Sequence, residues 1–136
     1  MTRAVSDGGV PEPALLDGER DALARGIAQF NDGLFFECHD TLEEVWSGVR
    51  GPARDFFQGL VQVAVGFYHI GNGNRAGGVT LLRRSLARLG RYPARYAGIE
   101  LAALRDAVAG RLAALESGGE VPFRPPTIGM AEGKES

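Results

Sequence analysis

One cysteine, one lysine, one tryptophan and two histidines are all that these 136 residues hold of several residue types often tied to covalent or metal chemistry. The lone Cys38 excludes an internal disulfide. Neither sign of charge dominates: 15 basic and 17 acidic side chains leave a formal charge of -2, so no overall field draws the chain to nucleic acid or an anionic bilayer. Long apolar runs are missing as well. The longest, around Gly59 to Tyr68, is interrupted by Gln62 and falls far short of the ~20 residues a membrane span requires. The first 13 residues lack the apolar stretch of a secretion signal, which points to the cytoplasm. What is present is ordinary for a globular chain, with 44% hydrophobic and 24% charged residues in a length that suits one domain.

No window alternates like a strand, whereas apolar residues recur at helical spacing. Leu16, Leu23, Ile27 and Phe30 mark a first helix, and Leu34, Phe35, Leu42, Val45 and Trp46 a second. Asn31-Asp32-Gly33 between them supplies a glycine able to take positive φ and reverse the chain, giving a helical hairpin. Gly51-Pro52 opens a third helix that runs to about Ile70. The cluster Gly71-Asn72-Gly73-Asn74 breaks it, and Val79, Leu82, Leu86 and Leu89 mark a fourth helix ending near Gly90. After a turn at Tyr92-Pro93, a fifth helix spans about Ile99 to Leu115. The expected fold is all-α, a single-domain bundle of about five helices built on helical hairpins. The helical domain covers 14–116, with a flexible segment at 1–13 and an irregular or flexible tail at 117–136.

Two polar stripes are the candidate chemistry. The third helix is apolar around well over half of its circumference, and Gln58, Gln62 and His69 fall within ~40° of one another on the remainder, followed by Asp55, Gly66 and Gly59. Such a stripe is either solvated or covered by a neighbouring helix, and in the second case every amide and imidazole needs a partner. The second helix crowds Glu37, His39, Asp40, Glu43 and Glu44 into two turns, with Leu34, Phe35, Cys38, Leu42, Val45 and Trp46 on its core arc. His39 and Glu43 share a face, and Glu37 and Glu44 lie on the opposite flank. One reading leaves His39 bonded to Glu43 or a facing Gln while the other acids form a solvated face. The other joins His39, Glu43 and Asp40 to Gln62 and His69 across the interface of helices two and three. Imidazole and carboxylate suit zinc, manganese or iron, and a metal-bound water beside a free carboxylate would hydrolyse. His-Glu-x-x-His and the paired Glu-x-x-His of di-iron bundles are absent. Cys38, on the core arc, reads as a small buried hydrophobe.

Arg84, Arg88, Arg91 and Arg95, flanked by Arg83, form a row that could grip anions, but arginine outnumbers lysine fourteen to one and a solvated face is the simpler reading. Nucleic acid is accordingly not the expected partner. A small molecule or a protein, including a second copy of the chain, fits the composition better.

Phe30-Asn31-Asp32-Gly33, Phe35-Phe36-Glu37-Cys38-His39-Asp40 and Leu42-Glu43-Glu44-Val45-Trp46, continued by Phe57-Gln58-Gly59-Leu60-Val61-Gln62, His69, Gly73-Asn74, Leu81-Leu82, Tyr92-Pro93 and Gly98-Ile99, resemble a prokaryotic family known as domain of unknown function 309. The resemblance runs over roughly residues 20 to 105, with Asp40 where the family usually has Glu and Cys38 where a small residue such as Ala is common. It implies an all-helical fold and the label of a predicted metal-dependent hydrolase. On that reading His39, Glu43 and His69 would be metal ligands, Glu37 or Asp40 the base, and Gln58, Gln62 and Trp46 would orient ligands or substrate. The alternative is a helical interaction module like a single tetratricopeptide-like hairpin, its polar cluster structural. No 34-residue repeat supports a longer array of that kind.

Overall fold

The computed structural model describes residues 10–118 and 125–130. Five helices carry the fold: α1 (Asp17–Asn31), α2 (Phe35–Trp46), α3 (Pro52–Gly71), α4 (Arg75–Leu89) and α5 (Leu101–Glu116). Each packs mainly on the helix before and the helix after it. The all-α reading holds. No helix among the described residues is long and apolar enough to cross a membrane.

The first four helices form two hairpins closed by the same turn. Gly33 and Gly73 take φ of 81° and 82°, and each turn has the two crossed hydrogen bonds of a Schellman motif. Leu34 N donates to Gln29 O and Gly33 N to Phe30 O; Asn74 N donates to His69 O and Gly73 N to Ile70 O. The correspondence extends into the packing. A Cβ on Gly26 would meet Leu42 Cδ2 at 2.9 Å, and one on Gly66 would meet Leu82 Cδ2 at 2.8 Å. Gly26 and Gly66, Gly33 and Gly73, and Leu42 and Leu82 are each forty residues apart. The chain thus repeats one hairpin with a period different from that of a tetratricopeptide unit.

α3 lies between α2 and α4 and buries Phe56, Phe57, Leu60, Val63, Ala64 and Phe67. Aromatic groups gather at both of its ends. Phe56 meets Tyr96 at 4.8 Å and Tyr92 at 5.5 Å between ring centroids, while Phe67 lies 6.1 Å from Phe30 and 5.9 Å from Phe35. Two guanidiniums close helix ends whose carbonyls lack helical partners. Arg54 donates to Trp46 O and Val49 O, both at 3.2 Å, and Arg105 donates to Leu89 O at 3.2 Å and Tyr92 O at 3.1 Å.

Three details differ from the pattern reading. A two-strand antiparallel ribbon, β1 (Arg95–Tyr96) and β2 (Ile99–Glu100), precedes α5. Its turn residues Ala97 and Gly98 have φ of 53° and 77°, both positive as a tight two-residue hairpin of this hand requires. Strands of two residues are too short to show alternation. Second, the break falls at the expected cluster 71–74, but α4 starts ahead of its first periodic apolar residue, Val79: Arg75 to Gly78 already form its first turn, capped by Asn74 Oδ1 accepting from Gly77 N at 3.0 Å. Third, Leu34, assigned to the core arc of the second helix, is exposed at the turn before α2.

The ends are irregular but partly tied down. Pro11 O accepts from Tyr96 Oη at 2.7 Å, and Glu12 Oε1 accepts from Ala97 N at 2.8 Å. Within the tail expected at 117–136, Ile128 is buried and held on both sides by the Asn31 carboxamide, which donates to Ile128 O at 3.0 Å and accepts from Ile128 N at 2.7 Å. The rest of the expected terminal segments, 1–9, 119–124 and 131–136, lies outside the described residues.

Candidate functional site

α2 directs Cys38, Thr41, Leu42 and Val45 into the core, which leaves His39 at the rim. Its ring is 24% exposed, with Nδ1 at 3.4 Å from Asp40 Oδ1 and Nε2 at 3.4 Å from Glu43 Oε2. Nδ1 is buried and its contact with Asp40 lacks hydrogen-bond geometry. The two acids are 61% and 46% exposed, so water screens both pairs. They flank opposite nitrogens of one ring and therefore do not converge with it on a common point. Among the described residues, no group of three or more His, Cys, Asp or Glu side chains could hold a metal ion. His39, Glu43 and His69 are not gathered into a ligand set in this arrangement.

The remaining candidates divide between neighbours. Gln62 turns to α4, where its Oε1 accepts from Arg88 Nε at 3.1 Å. Asp55, one register further along the same stripe, pairs with Arg88 and Arg91. The stripe on α3 is thus largely covered, by α4 and not by α2, and Gly59 and Gly66 face Leu89 and Leu82 of α4 at close range. Gln58 is half-buried. His69, also half-buried, adjoins Tyr68 with ring centroids 6.2 Å apart, and its carbonyl closes the turn into α4. Trp46 lies under the Arg54 guanidinium, 4.4 Å from its centroid, and its buried Nε1 has no hydrogen-bond partner among the described residues. Glu44 pairs with Arg25 of α1 at 3.3 Å. Burial pushes the Cys38 thiol up to about 12, as suits a core residue.

One feature escaped the pattern reading. Leu34, Phe36 and Tyr68 are 45%, 51% and 39% exposed and are three of the few large hydrophobic side chains that face water among the described residues. They border a hollow of about 300 Å³ with Glu37, Phe67 and Asn72 also on its walls. Phe36 links the hollow to the imidazole, its ring centroid 5.6 Å from Tyr68 and 5.8 Å from His39. The available signal was Phe36, an aromatic residue amid the acids and off the core arc of α2, where burial cannot account for it.

These features define a helical-hairpin protein with an exposed aromatic hollow beside an imidazole and carboxylates. Residues 23–81 match the family model described as domain of unknown function (DUF309), so the family resemblance read from the motifs holds over that stretch. An uncharacterised protein of Aquifex aeolicus (strain VF5) is 26% identical over 88 residues, which are 64% of this chain and 26% of that protein. The aligned part of the chain thus spans about a quarter of that relative's length.

Proposed function

We propose that this chain is a non-enzymatic interaction module that receives an aromatic or large aliphatic side chain of a partner protein in the hollow between Leu34, Phe36 and Tyr68. The observation that carries the reading is the grouped exposure of these three side chains around one concavity, since large apolar groups clustered in water mark binding surfaces more often than singly scattered ones. Two further features support it. The hollow lies within residues 23–81, the family segment, and in the Aquifex protein the aligned stretch is a minor part of a longer chain, as befits a module. Glu37 and Asn72 on the walls, and His39 beside Phe36, then offer polar contacts around an apolar anchor.

Panning a displayed random-peptide library against the wild type and Phe36→Asp tests the reading. The expected result is enrichment of peptides sharing an aromatic or large aliphatic position, with binding lost in Phe36→Asp. Failure to enrich any sequence, or equal retention by the variant, contradicts it.

The metal-dependent hydrolase label is a second reading, and one observation favours it: an imidazole with a carboxylate at each nitrogen. A metal would require His39, Glu43 and His69 to reorient onto one point. Elemental analysis of protein purified without a metal-affinity tag decides between the readings. Stoichiometric zinc, manganese or iron that is lost in His39→Ala would favour the hydrolase, and sub-stoichiometric metal unchanged by that substitution would favour the module.

A further inference from the structure

The arginine row does more than tie helices together at one point. Around Asp55 the chain forms a cleft of about 500 Å³, walled by Val10, Pro52, Asp55, Arg88, Arg91 and Tyr92. Asp55 faces both guanidiniums: Oδ1 accepts from Arg88 Nη1, while the buried Oδ2 is in charge contact with Arg91 Nη2 without hydrogen-bond geometry. Arg88 is engaged a second time by Gln62 through Nε, and its side chain is only 30% exposed. Arg91 differs: its side chain is 63% exposed, and its contact with Asp55 runs through Nη2 alone, so the guanidinium, which also walls the cleft, keeps donors for a second acceptor. The Tyr92 hydroxyl donates to Pro52 O, so this ring, with Val10 and Pro52, presents mainly apolar wall. Two guanidiniums against one carboxylate leave one formal positive charge in a cavity of ligand size. The row's other members are otherwise occupied or remote from the cleft. Arg83 pairs with Glu116, Arg95 with Glu100, and Arg84 is exposed outside the cleft lining.

We propose that this cleft binds a small organic carboxylate with a flat apolar body, the carboxylate pairing with the exposed Arg91 guanidinium and the body lying against Tyr92 and Val10. A guanidinium edge matches the two oxygens of a carboxylate, and a single surplus positive charge is balanced by a monoanion. A phosphate dianion would leave excess negative charge beside Asp55. The proposal stands on a different face and different residues from the aromatic hollow, so the two succeed or fail separately.

Benzoate, benzamide and inorganic phosphate are the probes, followed by amide and arginine side-chain resonances in ¹H–¹⁵N spectra of the full chain. Benzoate is expected to shift Arg91 and Tyr92, and benzamide, equal in shape but uncharged, to leave them unmoved. Arg91→Gln should weaken benzoate by about tenfold or more, because the exposed side chain is lost without disturbing the core. Asp55→Asn removes the competing carboxylate at nearly constant shape and should tighten benzoate, an outcome that a purely structural ion-pair network would not give. The proposal is overturned if benzoate causes no shifts, if Arg91→Gln binds as the wild type does, or if phosphate binds more tightly than benzoate. Should Asp55→Asn fold poorly, the comparison of wild type with Arg91→Gln still decides.

Discussion

A thiol enclosed by hydrocarbon loses access to water and with it the thiolate that attacks electrophiles. Cys38 is 1% exposed, and burial lifts its pKa from the ordinary 9.0 to about 12. A disulfide reagent at neutral pH should therefore label the native protein no faster than it unfolds and label the denatured chain at once. Rapid labelling of native protein would show that the α2 core opens locally. His39 is the contrasting residue, on the rim between two solvated acids. His39→Ala should cost less than about 1 kcal/mol in denaturant unfolding, because exposed pairs of this kind contribute little. A loss of several kcal/mol would make the imidazole a structural keystone. The core position of Cys38 and the rim position of His39 are legible in the sequence, since both depend on helical periodicity alone. The partner of Gln62 is not, because which helix covers a stripe is a tertiary fact and the arginine on α4 is remote in sequence.

Glycines set how closely the helices approach. A Cβ on Gly78 would lie 2.8 Å from the backbone oxygen of Gly66 and 2.3 Å from Ile70 Cδ1, and the backbone atom cannot step aside. Gly78→Ala should destabilise by about 1–3 kcal/mol through overpacking at the α3–α4 crossing. Gly110, in α5, has nothing within 4 Å of a Cβ, so Gly110→Ala should stabilise by about 0.4–1 kcal/mol through lower unfolded-state entropy. Denaturant titration of both variants checks the pair, and equal effects would mean that the crossing is looser than described. Helix number and the Gly33 turn were legible because periodicity and a left-handed glycine are local signals. The repeat of forty residues was not, since it survives in only a few identities such as Gly26 with Gly66 and Leu42 with Leu82, while Cys38 is matched by Gly78 and Phe35 by Arg75. The ribbon at Ala97-Gly98 escaped for another reason. Ala97 is held at positive φ within a turn whose amide is taken by Glu12, a contact across 85 positions that no local rule encodes.

On the scale of the molecule, the ends lace across the serial helices, and the tyrosine layer beneath them makes stability sensitive to alkali. Burial, reinforced by Tyr92 and Glu12, lifts Tyr96 from 10.0 to about 12, and burial also raises Tyr92 against the opposing pull of Arg91 and Arg88. With Cys38, these groups hold their protons in the folded state at pH values where the unfolded chain has released them. Their stabilisation is therefore complete below about pH 9 and is lost as pH rises toward about 12. In a Tyr68→Phe variant, which leaves Tyr92 and Tyr96 as the phenols, helical ellipticity and phenolate absorbance should change together over that window, whereas early phenolate formation in that folded variant would place Tyr92 and Tyr96 at the surface. The central claim concerns the opposite end of α3, where function is assigned to the hollow beside His39. The most direct measurement is a ¹H–¹⁵N titration with a peptide selected on the wild type: shifts should concentrate at residues 33–39 and 67–72 and vanish in Phe36→Asp. Shifts centred on Asp55 and Arg91, or shifts that persist in the variant, would contradict the account.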